Sequence, residues 1–343
     1  MFEMIKSLCE LDGISGREQD VSAAIMEHIR TLADEVSVDN LGNVIAFKKG
    51  RRQPKHKLMV AAHMDEVGMI VTSIGDDGYL RFSTVGGVNT KVILGRQVRV
   101  GEKKLPGVIG SKPIHLQSEE ERSTAPELDK MVIDIGAKDR EEAERCVSLG
   151  DSATFIGDYL EYGNPADPYV AVKAMDDRAG CAMMIQMMKE GLEFDTWFAF
   201  TVQEEIGTRG AKAAAFSVNP DIALIIETTA SGDVADVTGE KRVTIVGGGA
   251  VVSYMDHGTI YDKPLFDLAF HVAKEKSIPC QTKTMIAGGN DSGAIHVSHG
   301  GVRTCAISVP GRYLHSPSDA AKKSDIQAVY DLSKAMLDVL GDC

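Results

Sequence analysis

Apolar and polar positions follow two different rhythms along this chain. Ser15-x-x-Glu18 has the form of a helix-capping box, and Val21, Ile25, Ile29 and Leu32 recur behind it at helical spacing, which predicts a helix over about 17–33. "VSVDNLGNVIAF" predicts a hairpin with Asn40 and Gly42 in its turn. "KLMVAAHMDE" predicts an apolar strand ending in His63, Asp65 and Glu66. From about residue 67 to 167 the texture changes. Short β-like runs ("MIVTSI", "YLRFSTV", "QVRV", "MVIDI", "SATFI") alternate with glycine-rich turns, the pattern of a small barrel or sandwich. One short charged helix is expected near 139–146, and the acidic "QSEEERSTAPELDK" is expected to be a flexible surface loop.

After "YGNPADPYV" strands and helices alternate again. Helices are predicted over about 177–192, 209–216, 264–276 and 292–297, and from a second capping box, Ser324-x-x-Gln327, to about 340. The strands are the apolar run from Trp197 that ends at Glu204, "IALIIE" ending at Glu227, "CQTKTMI" and "RTCAISV". This alternation implies a mixed or largely parallel sheet covered on both faces. The expected fold is therefore α/β, a mixed sheet flanked by helices, with a small β-barrel inserted.

Composition narrows the class. At 343 residues the chain has room for roughly two domains and a substantial core. Hydrophobic content of 43% and charged content of 25% are ordinary for a soluble globular protein. No apolar run approaches the roughly 20 residues of a bilayer span. Lys6, Glu10 and Asp12 interrupt the start, unlike a secretory signal. A net charge of −13 argues against nucleic acid and anionic membranes as partners. Six cysteines without CxxC spacing fit reduced thiols and a cytoplasmic location.

The chemistry gathers where the predicted strands end, as functional groups do in open α/β sheets. His63, the pair Glu204 and Glu205, Glu227, and His315 after "VPGRYLHS" stand at such ends, and "AMDDRAG" brings Asp176 and Asp177 to the start of a helix. One buried histidine at a strand end is usually structural; five coincidences of this kind are not. Imidazole and carboxylate donors suit zinc, cobalt or manganese. Two such cations about 3.5–4 Å apart need a bridging carboxylate. Asp176, beside a second acid and an arginine, is a good bridge. Each cation would then take one histidine and one further carboxylate. Adjacent glutamates invite a division of labour, with Glu205 on a metal and Glu204 moving protons.

The chain resembles the tetrahedral, dodecameric metalloaminopeptidases, a family that includes glutamyl aminopeptidases and chains labelled endoglucanase. The resemblance rests on "AAHMDEVGMIV", "AMDDRAG", "VQEEIGTRGA", "IIETTASGD", "GGNDSGAIHVSHGGV" and "SVPGRYLHSPSD", in the family's order and over nearly the whole chain. It implies His63, Asp176 and Glu227 on one metal, Asp176, Glu205 and His315 on the other, and Glu204 as base. It also implies that Asp65 orients His63 through its other ring nitrogen. Where the family usually has aspartate, this chain has Glu227; the expected spacing to Asp233 is kept. The implied partners are peptides with a free N-terminus and further copies of the chain, most simply in a dodecamer.

His63 and Asp176 must meet at one centre although the β-rich segment separates them. Residues 1–66 and 168–343 are therefore expected to form one catalytic domain, and 67–167 an inserted domain for oligomerisation and substrate access. His115 in that insert is expected to be a solvated loop histidine. Two rival activities use parts of the same residues. Hydrolysis of N-acylated amino acids is one, kept open by Glu227. A glycan-binding or endoglucanase-type protein is the other, and it has no use for both histidines.

Overall fold

The computed structural model describes residues 1–124 and 126–343. The chain opens with helices α1 (Phe2–Cys9) and α2 (Gln19–Ile29), then the hairpin β1 (Glu35–Val38) and β2 (Val44–Lys48). Asp39 makes the hairpin turn, its Oδ1 accepting from the backbone of Leu41, Gly42 and Asn43. The buried strand β3 (Leu58–His63) follows.

A barrel then closes in the order β4 (Gly68–Ile74), β5 (Leu80–Val85), β8 (Met131–Asp134), β7 (Leu105–Ser111), β6 (Gln97–Val100) and β9 (Ser152–Phe155). Its alternating inward residues, among them Met69, Val71, Leu80, Val98, Ile109 and Ile133, form a core of their own. The acidic stretch is not simply a loop. Glu119–Ser123 form the short exposed helix α3, started by a capping box between Ser118 and Glu121; Ala125 lies outside the described residues. The charged helix near 139–146 is α4 (Arg140–Glu144), capped by Asp139.

The chain returns through β10 (Leu160–Tyr162) and β11 (Tyr169–Val172), which pair with each other and, through β11, with a late strand, β17 (Asp319–Lys322). The rest is α5 (Met175–Glu190), β12 (Thr196–Thr201), α6 (Arg209–Val218), β13 (Ile222–Ala230), β14 (Ala250–Val252), α7 (Lys263–Lys276), β15 (Cys280–Thr282), α8 (Ser292–Ile295), β16 (Arg303–Gly311) and α9 (Lys323–Leu340). Among the described residues the main sheet has eight strands, ordered β1-β2-β12-β3-β13-β16-β14-β15, and is mixed. Strand alternation sorts its side chains. Leu58, Val60 and Ala62 pack with α5 and α9 in one core, while Met59 and Ala61 pack with α6 in the other.

Neither predicted capping box forms. Glu18 is itself the residue before α2 and makes no cap bond, and α9 starts from Lys322. Ser15 and Glu18 bond elsewhere, as shown below. The backbone and hydroxyl of Ser324 donate to Asp167 across the chain. The strand expected to end at Glu204 stops at Thr201. Glu227 is not terminal; β13 runs on to Ala230 because it stays paired with β16 through Ala230 and Gly311.

Candidate metal centre

The register of the sheet builds the site. β3 and β13 run parallel and pair from Ile222 and Leu58 to Ile225 and Ala61, then part. His63 and Glu227 are the next residues of equal level and equal facing, so both project into the opening where the strands diverge. His63 Nε2 lies 3.5 Å from Glu227 Oε1. β12 reaches the same level at Thr201, paired with His63, and the chain then turns through Gln203 so that Glu204 and Glu205 lie beyond the sheet edge. Gly210 is required behind this turn, because a Cβ there would sit 2.3 Å from the Val202 carbonyl oxygen.

Asp176 enters from the first turn of α5, where its backbone is not yet helical. Its two oxygens divide between the histidines. Oδ1 lies 3.3 Å from His63 Nε2, and Oδ2 lies 3.6 Å from His315 Nε2. His315 Nε2 is also 3.3 Å from Glu205 Oε2. Two donor sets result, His63–Asp176–Glu227 and Asp176–Glu205–His315; within each, one donor atom per residue lies within 4.8 Å of the others.

Both imidazoles are held from behind. His63 Nδ1 donates to the Asp65 main-chain carbonyl at 3.1 Å, with Asp65 Oδ1 at 3.5 Å. His315 Nδ1 donates to the Gly87 carbonyl, which the barrel side supplies, at 3.2 Å. With Nδ1 carrying the proton, the Nε2 lone pair faces the carboxylates in each case, the tautomer a metal ligand needs.

Asp65 does more than touch His63. Its Oδ1 accepts from the Glu204 backbone at 3.0 Å, and its Oδ2 accepts from the Glu205 backbone at 3.2 Å and the Ser15 hydroxyl at 2.6 Å. Glu18 Oε1 accepts from the Gln203 backbone at 3.1 Å. The two residues that the sequence offers as a capping box thus brace the turn that carries the glutamate pair.

Behind the site, buried Glu66 accepts from Lys173 and Arg178 at 2.7 and 2.9 Å. Asp291 had no role in the sequence reading beyond its place in "GGNDSG". It is fully buried and accepts from the Thr201 hydroxyl at 2.5 Å. Asp233 stands apart, bound through both oxygens to Arg312 at 2.8 Å. His115 lies in an exposed turn of the insert.

The electrostatics describe a site short of positive charge. Burial and Asp176 push Glu227 up to about 8 against the pull of His63. Burial and Asp176 likewise push Glu205 up to about 7. Burial, with Glu227, Asp291 and Glu205 nearby, raises Glu204 well above the usual range. His315 is raised to about 10, chiefly by its hydrogen bond to Asp176. Burial would raise Asp176 as well, but the two histidines outweigh it and hold its carboxyl low. Acids that resist ionising together and imidazoles that seek a proton are what a shared divalent cation relieves. The donor set of nitrogen and hard oxygen fits that cation.

An α/β sheet whose diverging strands gather such donors beside a closed barrel defines a metal-using hydrolase. A family model described as M42 glutamyl aminopeptidase matches residues 42–332, and the chain belongs to that family. It is an aminopeptidase, a peptide-bond hydrolase that uses divalent metal. It is 33% identical to the lysyl aminopeptidase of Pyrococcus furiosus over 99% of this chain and 97% of that one. Among solved structures, the TET aminopeptidase of a marine sediment thaumarchaeon superposes with a TM-score of 0.93 at 36% identity, covering 99% of this chain and 96% of that one. The Pyrococcus horikoshii TET1 peptidase, described as able to assemble into a tetrahedron or a large octahedral shell, gives 0.84 at 34% identity, covering 98% of each chain. Among the described residues no helix is long and apolar enough to cross a membrane.

Proposed function

We propose that this aminopeptidase works with two divalent cations, zinc or cobalt before manganese, and that Glu204 is its proton carrier. The observation that carries the reading is Asp176, which turns one oxygen to each histidine and belongs to both donor sets. His63 and Glu227 would complete one set, Glu205 and His315 the other. When bound, the cations would supply Lewis acidity for water and for the peptide carbonyl. Glu204 takes the proton of the attacking water and delivers it to the leaving amine, a task helped by a carboxyl raised above its usual range. Asp65 fixes the backbone of Glu204 and Glu205, so the proton carrier and its neighbour keep their spacing.

The same reading extends to organisation. Residues 1–66 and 168–343 would be one discontinuous catalytic domain and 67–167 an insert serving assembly, although β10 within that range pairs with β11 and not with the barrel. Ile114 and Leu116, 70% and 59% exposed in the insert, are apolar surface suited to contact another copy. A closed homo-oligomer, most simply a dodecamer, acting in the cytoplasm on peptides with a free N-terminus fits this surface and the tetrahedral relative.

Chelation followed by elemental analysis tests the centre. The expected outcome is no hydrolysis of an aminoacyl p-nitroanilide by the apo-protein and recovery with zinc or cobalt at two equivalents per chain. Full activity at zero metal overturns it, and an active species that sediments only as a monomer overturns the assembly.

A further inference from the structure

The donor sets open into a cavity of about 440 Å³, whose lining includes Gly288, Gly289 and Asn290 from the loop between β15 and α8. That loop is held from the protein side. Lys283 Nζ donates to the Ala287 carbonyl at 3.1 Å, and the His257 backbone donates to the Gly288 carbonyl at 2.9 Å. The buried Asn290 side chain donates to the Tyr261 hydroxyl at 3.0 Å and accepts from the Ser292 backbone at 2.9 Å. The Tyr261 hydroxyl in turn donates to Asp256 at 2.6 Å, and Asp291 is tied to Thr201. The loop therefore stands beside the donor sets with its position fixed at both ends.

One backbone group in it is left over. A trans peptide unit directs its N–H opposite to its C=O. The unit joining Gly288 to Gly289 turns its carbonyl to His257, which lies outside the cavity lining, so the Gly289 N–H is directed the other way. That N–H has no hydrogen-bond partner among the described residues, and Gly289 is exposed. The residue type at 289 is informative as well. Gly288, at a φ of +67°, needs to be glycine for its own conformation; Gly289 lies outside that range, and a Cβ built on it meets nothing within 4 Å. Neither backbone conformation nor crowding within the chain calls for glycine at 289. What its missing side chain leaves room for is close approach from the cavity.

We propose that Gly289 is a substrate-binding residue whose backbone N–H donates to the main-chain carbonyl of the peptide's second residue, the first carbonyl beyond the bond that is cut. This rests on the reading of the donor sets as the place of that bond. A peptide whose first carbonyl sits at the donor sets must leave through the same cavity, and its next carbonyl is an acceptor that a bare backbone N–H satisfies. The contact reads main chain and not side chain. It favours peptides over simple aminoacyl amides whatever the second residue is, and a side chain at 289 would stand in the peptide's way.

Leucinamide ends at the leaving nitrogen, Leu-Gly-amide carries the second carbonyl, and its thioamide replaces that oxygen with sulfur, a weak acceptor, on a similar leaving group. The carboxylate of a dipeptide is a second source of an oxygen at this place, so Leu-Gly is included. Metal-loaded wild type, Gly289→Ala and Gly289→Val are compared on all four, with metal content and thermal unfolding for each. In the wild type, kcat/KM is expected to be roughly 2–10-fold higher on Leu-Gly-amide than on its thioamide. The ratio of Leu-Gly-amide to leucinamide should fall stepwise from glycine through alanine to valine, by about tenfold or more at valine, with metal content and melting temperature held. Equal wild-type values on amide and thioamide, or an unchanged ratio in Gly289→Val, overturn the proposal. So does a change confined to Leu-Gly, which assigns the contact to a terminal carboxylate, and so do equal losses on every substrate with a lowered melting temperature, which make Gly289 structural. Failure of the metal-loaded wild type to cleave any of the four overturns the reading of the donor sets instead, an outcome distinct from an active enzyme with an unchanged ratio.

Discussion

Asp65→Asn removes one charge and almost no volume, so its effect reports lost hydrogen bonds and lost charge beside His63 and not lost packing. The carboxylate now accepts at both oxygens: from the Glu204 backbone at Oδ1, and from the Glu205 backbone and Ser15 hydroxyl at Oδ2. An asparagine amide must present its NH₂ at one of those two places. Either orientation sets a donor against a backbone N–H and leaves one glutamate unanchored. A hydrogen bond to a charged acceptor contributes about 1.5–3 kcal/mol. If the turn relaxes so that Glu204 loses its position, the loss falls on the chemical step, where each 1.4 kcal/mol is about tenfold. The expected fall in kcat is roughly 10–100-fold, with KM little changed and both metals retained. Ser15→Ala removes one donor but leaves the carboxylate, so its loss should stay under about tenfold. Steady-state kinetics on an aminoacyl p-nitroanilide with metal analysis decides. Asparagine at 65 with wild-type kcat, or alanine at 15 costing more than asparagine at 65, refutes the bracing role.

The adjacent glutamates should separate cleanly. Glu204→Gln is expected to lose roughly 10²–10⁴-fold in kcat with metal retained, and Glu205→Gln to lose metal; elemental analysis showing the reverse exchanges their roles. Glu227→Ala should release one metal on exhaustive dialysis. Asp233→Ala should keep both and lower the melting temperature, because Arg312 loses a bidentate partner; metal lost from Asp233→Ala with none lost from Glu227→Ala reverses that assignment.

The parts legible in the sequence are those where local pattern and tertiary role coincide. "LMVAAH" is apolar throughout because β3 is buried on both faces, and that run delivers His63 to the opening. The barrel was legible from short alternating runs because each strand faces its own core on one side. The failures share a cause. Ser15 and Glu18 carry a sound capping signal, yet Asp65 and the Gln203 backbone claim their side chains. Thr228 and Thr229 mark the end of the apolar run, yet pairing with β16 continues past them. Asp291 gave no signal of role, since its partner, the Thr201 hydroxyl, is set by the register of a strand far away in sequence. Local chemistry named the donors; long-range register decided what braces them.

That register also bears on why the barrel stands between His63 and Asp176 in the chain. Gly86 and Gly87 leave β5 and pass directly over the centre. A Cβ on Gly86 would lie 2.8 Å from a Val67 methyl and 3.2 Å from Glu205 Cβ, and one on Gly87 would lie 3.0 Å from His315 Nδ1. A side chain at Gly86 is opposed by its φ of +79° as well as by Val67, and the carbonyl of Gly87 fixes the tautomer of His315. At the other mouth of the insert, Glu66 ties the end of β3 to Lys173 and Arg178, which flank Asp176 in sequence. Both histidines therefore depend on segments at which the barrel joins the sheet. A segment joined by loose linkers would leave the donor sets untouched; here the junctions of the barrel hold His315 and the end of β3 in place, so the barrel is part of the wall of the candidate metal centre.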